Sequence, residues 1–110
     1  MSDVQSGAGS PVIARIEEML EKNKVVLFMK GSPQFPMCGF SARAVGILAE
    51  LGAKYHSVDV MSDPEVRQGI KDYGNWPTVP QLYINKELIG GSDIMMEMYE
   101  SGELKETLAK

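Results

Sequence analysis

One cysteine, Cys38, carries the only thiol in the 110 residues. It lies in the stretch Lys30-Gly31-Ser32-Pro33-Gln34-Phe35-Pro36-Met37-Cys38-Gly39-Phe40-Ser41, which leaves an apolar run and enters a helical pattern. A cysteine at the start of a helix faces unpaired backbone N–H groups and the positive end of the helix dipole. Both favour thiolate over thiol. Lys30, at the end of the preceding strand, adds a nearby cation, and Ser41 offers a hydrogen bond to the sulfur. Gly39 lets a ligand approach the backbone closely. A lone cysteine is otherwise a small buried hydrophobe. Its place after a strand, behind a proline-bracketed loop, favours a reactive or ligating thiolate. The motif reads Cys-x-x-Ser where a dithiol motif has Cys-x-x-Cys, so no internal disulfide can form.

Three further constellations could bind a ligand. Arg67 and Lys71 are four residues apart and share a helix face beside an apolar stripe. They make either a solvated basic pair or a cationic site for a small carboxylate. Thr78-Val79-Pro80 precedes a strand. A cis Val79–Pro80 bond, inexpensive only before proline, would present the backbone of Val79 to an extended peptide; a trans proline would simply open the strand. Trp76 beside it suits either the core or the wall of a groove. Gly90-Gly91-Ser92-Asp93 joins a double glycine to a helix N-terminus, which suits an anion, with Asp93 as acceptor for an ammonium group. N-capping by Ser92 or Asp93 is the simpler role and is compatible with binding. His56 lacks the spacing of a zinc ligand and reads as structural. Met95, Met96 and Met98 read as core and helix surface.

The elements that must position these residues follow from periodicity and punctuation. Ser10-Pro11 is a helix start, and Val12, Ile13, Ile16, Met19 and Leu20 recur at helical spacing before Asn23. Residues 24–29 form a continuous apolar run that suits a central strand covered on both faces. Ala42, Val45, Leu48, Ala49 and Leu51 mark a second helix, ended by Gly52. Residues 54–60 read as a strand, and Asp63-Pro64 starts a third helix with Val66, Ile70 and Tyr73 inward and Gly74 at its end. Residues 81–84 and 87–89 are strands around Asn85-Lys86, a hairpin in which Lys86 is a poor second residue for a type I′ turn. A fourth helix carries Ile94, Met95, Met98 and Tyr99. Ser101-Gly102 breaks it, and a short helix runs to Lys110. The order α-β-α-β-α-β-β-α-α predicts a four-stranded mixed α/β sheet with helices on both faces. Its first crossover is parallel and its last two strands are antiparallel.

A chain of this length makes one domain able to bury a core without disulfides. Residues 1–10 read as a flexible tail and residues 11–110 as the domain. The net charge of −4 argues against non-specific nucleic-acid binding. No apolar run is long enough to suggest a membrane span. The start has neither a signal-peptide pattern nor the arginines of a presequence. A single cysteine fits a reducing compartment, most simply a bacterial cytoplasm, with a eukaryotic organellar matrix as the alternative. It also excludes a site of four protein thiolates within one chain.

Taken together, Lys30-Gly31-Ser32-Pro33, Cys38-Gly39-Phe40-Ser41, Asn75-Trp76-Pro77-Thr78-Val79-Pro80-Gln81, Gly90-Gly91-Ser92-Asp93 and Met98-Tyr99-Glu100 resemble a monothiol glutaredoxin of the Cys-Gly-Phe-Ser type. The resemblance runs from Pro11 to Ala109, and its specificity lies in all five motifs standing in order. It implies a thioredoxin-like fold, about five helices around the sheet, and a cis Pro80. It also implies a glutathione groove. Lys30, aided by Arg67 and Lys71, would take the glycine carboxylate, Val79 the cysteinyl backbone, and Ser92 and Asp93 the γ-glutamyl end.

Proteins of this type bind a [2Fe–2S] cluster between two protomers. Such a cluster takes four ligands; one Cys38 from each chain and two glutathiones would supply them. The expected function is cluster binding and transfer to acceptor apoproteins, with a homodimer built on the cluster and a BolA-family protein as an alternative partner. The rival is a glutathione-dependent monothiol oxidoreductase that uses Cys38 as nucleophile, so enzymatic activity is left open. The loop from Gln34 to Cys38 resembles that of the cluster-transfer class, and implies that glutathione is held away from an attacking geometry. Many relatives carry a second cysteine where this chain has Ser92, so a resolving thiol is absent here.

Overall fold

The computed structural model describes residues 10–110. Ten elements follow in order: α1 (Pro11–Lys22), β1 (Val25–Met29), α2 (Gly39–Glu50), β2 (His56–Asp59), a 3-10 turn (Val60–Ser62), α3 (Pro64–Gly74), β3 (Gln81–Ile84), β4 (Glu87–Gly90), α4 (Ser92–Ser101) and α5 (Glu103–Ala109). The expected tail falls outside the described residues except for Ser10, whose hydroxyl caps α1 by accepting from Ile13 N–H at 3.2 Å.

The sheet runs β2-β1-β3-β4. β1 and β2 are parallel, β1 and β3 antiparallel, and β3 and β4 antiparallel. This is the expected mixed sheet. Every residue of β1 is buried, because the strand is central and covered on both faces. Val26 and Phe28 point to one side, where Ile13, Ile16 and Leu20 of α1 and Val66 and Ile70 of α3 close the layer with Tyr83. Val25, Leu27 and Met29 point to the other, against Ala44, Ile47 and Leu48 of α2, Met95 of α4 and Leu104 of α5. The strand period of two therefore divides one apolar run between two cores.

The β3–β4 hairpin turns on Asn85 and Lys86, both at positive φ, 52° and 70°. That is what a type I′ turn requires. Lys86 is an unfavourable residue there, and its ammonium is tied to Glu21 of α1 at 2.6 Å.

One expected stripe is corrected. In α2 the buried face runs through Ser41, Ala44, Ile47 and Leu48, while Ala42 and Ala49 are exposed. The helix starts earlier than its apolar pattern shows, with Cys38 as N-cap. That start turns the polar Ser41 inward, where its hydroxyl is used.

Candidate functional site

Cys38 ends the loop between β1 and α2 and is partly exposed. Its sulfur accepts the backbone N–H of Ser41 at 3.4 Å and lies 3.4 Å from the Ser41 hydroxyl. Ser41 Oγ accepts the backbone N–H of Lys30 at 3.1 Å. With an oxygen lone pair so engaged, the hydroxyl proton is free to point at the sulfur. Burial pushes the Cys38 thiol up. The Ser41 hydroxyl, the N–H groups of Ser41 and Phe40, and the Lys30 ammonium outweigh it, so the thiol ionises below its ordinary value.

The loop that presents Cys38 is a tight structure of its own. Gly31 pairs with Pro36 as an isolated bridge, and Met37 N–H donates to Lys30 C=O at 2.8 Å. Gly31 adopts φ 88°, and a Cβ there would collide with Phe35 O and meet Met37 N at 2.8 Å. Only glycine fits. Asp59, at the end of β2, accepts Gly31 N–H at 2.9 Å and Met61 N–H at 2.8 Å. One carboxylate thus fastens the loop to the sheet and starts the next turn. Nothing in the periodicity of the sequence marks Asp59 for this; its signal is a capping residue at a strand end.

A groove of about 460 Å³ opens beside this loop. Lys30, Arg67, Lys71, Val79, Ser92 and Asp93 all line it, joined by Phe40, Trp76 and Pro80. All six residues expected to bind a ligand therefore share one concavity, though they come from four parts of the chain. Cys38 is not among its lining residues; its two neighbours Lys30 and Phe40 connect the two. Among the described residues Lys30, Arg67 and Lys71 have no acidic partner within ion-pair distance. The Val79–Pro80 peptide is cis, as expected.

Trp76 proves to be both wall and packing: it lines the groove while its Nε1 is buried without a hydrogen-bond partner. Ser92 and Asp93 do not cap α4. The cap is Gly91 in an extended conformation, and no side chain bonds to the helix start. Ser92 is buried, and Asp93 pairs with Arg43 of α2 at 3.3 Å.

The segment bearing Trp76 to Pro80 is held from beneath by a buried amide. Gln81 Nε2 donates to Trp76 C=O at 3.1 Å and to Thr78 C=O at 3.2 Å. Gln81 Oε1 accepts from the Tyr83 hydroxyl at 3.2 Å. Burial, with a smaller contribution from Tyr73, pushes the Tyr83 phenol up to about 12. Gln81 stands in one of the motifs of the resemblance, yet its role as a strut shows only when its partners are in place.

A larger hollow of about 760 Å³ lies among Lys22, Lys24, Leu51, Lys54, His56 and Lys105. It contains none of the candidate site residues. Lys24 Nζ there donates to Leu108 C=O at 2.7 Å and Lys22 pairs with Glu18 at 3.0 Å, so two of its cations already hold the chain's own structure.

The glutaredoxin family model matches residues 25–89, the span from the first strand through the hairpin. The chain belongs to the glutaredoxin family. Its relatives place it among the monothiol glutaredoxins. An uncharacterized monothiol glutaredoxin of Synechocystis sp., ycf64-like, is 55% identical over 95 residues, 86% of this chain and 89% of the relative. Glutaredoxin 4 of Escherichia coli is 48% identical over 105 residues, 92% of this chain and 91% of the relative. The solution structure of reduced poplar apo GrxS14 is 48% identical and superposes with a TM-score of 0.77, covering 87% of this glutaredoxin and 88% of that chain. The thioredoxin-like fold of this glutaredoxin follows from that likeness together with its sheet order. Among its described residues no helix is long and apolar enough to cross a membrane.

Proposed function

We propose that this glutaredoxin binds a [2Fe–2S] cluster as cargo, shared between two protomers and two glutathione molecules, and hands it to acceptor apoproteins. The observation that carries the reading is Cys38: a lone, partly exposed sulfur, held toward thiolate, next to a groove with three cations that have no acidic partner among the described residues. Thiolate is the form that binds iron. A cluster takes four ligands, and among the described residues no group of three His, Cys, Asp or Glu side chains gathers within the chain. On this reading the remaining ligands come from a second protomer and two glutathiones. Glutathione carries two carboxylates and one ammonium group, which suits a groove offering Lys30, Arg67 and Lys71 together with Asp93. Val79 supplies backbone pairing, and Ser92 a backbone N–H. Around Cys38, Phe35, Met37 and Phe40 are 77%, 65% and 58% exposed. An apolar rim of this kind suits a second protomer, or a BolA-family protein in its place. The compartment that fits one exposed thiolate is a reducing one, bacterial cytoplasm or an organellar matrix.

The lowered thiol ionisation also supports a second reading, a glutathione-dependent monothiol oxidoreductase. Cys38 thiolate would attack the glutathione sulfur of a mixed disulfide, releasing the protein thiolate and forming a Cys38–glutathione disulfide. A second glutathione thiolate would then attack that bond, giving glutathione disulfide and restoring Cys38 thiolate.

One anaerobic preparation separates the two. The chain is reconstituted with ferrous iron, sulfide and glutathione, and its visible spectrum and mass are recorded. A brown dimer that becomes a colourless monomer when glutathione is removed is the expected result. Absence of cluster bands, with brisk reduction of glutathione mixed disulfides, would favour the oxidoreductase. Cys38→Ser should lose both activities; a cluster retained in that variant would show that another residue is the ligand.

A further inference from the structure

Asp93, assigned above to the ammonium group of the γ-glutamyl end, is not free. Arg43 Nη1 of α2 lies 3.3 Å from its Oδ1. Both side chains are open to solvent, Arg43 at 46% and Asp93 at 82% exposure, so the pair holds no buried structure together. Arg43 also has no second acid partner among the described residues. A guanidinium carries five N–H donors in a planar fork, and this contact leaves most of them unused. Asp93 lines the groove. A cation held against its carboxylate therefore stands at the edge of the same concavity. The γ-glutamyl end of glutathione is itself a zwitterion, with an α-ammonium and an α-carboxylate on one carbon.

We infer that Arg43 is a specificity-determining residue. It reads the α-carboxylate of the γ-glutamyl group while Asp93 reads the α-ammonium, so that the protein's own ion pair is the charge complement of the ligand's zwitterion. This rests on the glutathione reading above. Arg43 and Asp93 hold each other, and the zwitterion replaces one contact by two of the same kind. The alternative is that Arg43 merely neutralises Asp93; it would then compete with the ammonium group, and removing it would tighten binding.

The two roles predict opposite results. Full-length apo protein is titrated, under reducing conditions, with glutathione, with its decarboxy analogue γ-aminobutyryl-Cys-Gly, and with its desamino analogue glutaryl-Cys-Gly. Amide shifts of Gly91 to Asp93 and of Val79 report binding. Wild type should bind glutathione more tightly than either analogue. Arg43→Gln should weaken glutathione by about two- to fivefold, the range for exposed ion pairs. It should also narrow the preference for glutathione over the decarboxy analogue, leaving the part due to the Ser92 backbone N–H, while discriminating against the desamino analogue as wild type does. Arg43→Lys should recover part of the loss. If Arg43→Gln binds glutathione as tightly as wild type or more so, and keeps the full wild-type preference over the decarboxy analogue, Arg43 does not read the carboxylate. If wild type shows no glutathione-dependent shifts at Lys30, Arg67 or Val79, the glutathione reading fails and this inference falls with it.

Discussion

Ser41 shows how one hydroxyl sets the chemistry of its neighbour. Its oxygen accepts Lys30 N–H at 3.1 Å, and its hydroxyl, 3.4 Å from Cys38 Sγ, is free to donate to the thiolate. Ser41→Ala should raise the thiol's ionisation toward that of a free cysteine. The pH dependence of Cys38 alkylation would show it as a midpoint moved upward and a slower rate at neutral pH. An unchanged midpoint would assign the shift to the helix N–H groups and the Lys30 ammonium. The same ionisation bears on stability. Because the folded thiol ionises below its ordinary value of 9.0, its contribution is present above that value and is lost as the pH falls through the folded one. Ser41→Ala should flatten that part of the stability profile. Tyr83 has the opposite sign. Its phenol is held neutral up to about 12 against an ordinary 10.0, so the folded state loses stability as the pH rises between the two, by about 2–3 kcal/mol. Tyr83→Phe should remove much of that alkaline limb in denaturation curves.

At the scale of elements, the site is two short segments, each fastened by one side chain. The loop from Gly31 to Met37 is folded on a glycine at φ 88° and tied to β2 through Asp59. Gly31→Ala should cost about 2 kcal/mol or more, since the new Cβ meets backbone atoms and the conformation is unfavourable for alanine. Thermal melting would measure it. The segment from Trp76 to Thr78 rests on Gln81. Gln81→Leu leaves two carbonyls and the Tyr83 hydroxyl without their partner and should destabilise the fold by about 2–3 kcal/mol. It should also disturb the groove, which amide shifts at Val79 would report. A loss below about 0.5 kcal/mol would mean that water takes over the amide's role.

For the molecule as a whole, charge placement counts for more than charge total. The chain carries a net −4, yet Lys30, Arg67 and Lys71 gather around one groove with no acidic partner among the described residues. The variant Arg67→Ala with Lys71→Ala should leave the melting temperature nearly unchanged, because both residues lie outside the core. If the protein carries the proposed cluster, the variant should raise the glutathione concentration needed to hold it by about two- to tenfold. Titration of the visible spectrum with glutathione, at low and high salt, would check this. The gap between wild type and variant should narrow as salt screens the charges.

The sequence alone determined the elements, because they are local. Ser10-Pro11 and Asp63-Pro64 start helices, the apolar run at Val25–Met29 is a central strand, and Asn85-Lys86 is a turn even though lysine suits it poorly. It also singled out Cys38, its partners Lys30 and Ser41, and the cationic pair Arg67 and Lys71, since residue type and spacing are enough for those. The inward face of α2 was not legible, because the polar Ser41 is buried for a hydrogen bond and not for its apolarity. Asp59, Gln81 and Arg43 were equally silent, each acting through a partner at least one element away or through a backbone group whose position the fold sets. Residue type and spacing did not group Lys30, Arg67, Lys71, Val79, Ser92 and Asp93; the resemblance implied a shared groove, and only the tertiary structure lines one concavity with all six. Packing of α3 and α4 beside the end of β1 and the Val79–Pro80 loop brings them to a common concavity, and contacts between residues so far apart along the chain leave no periodic trace in it.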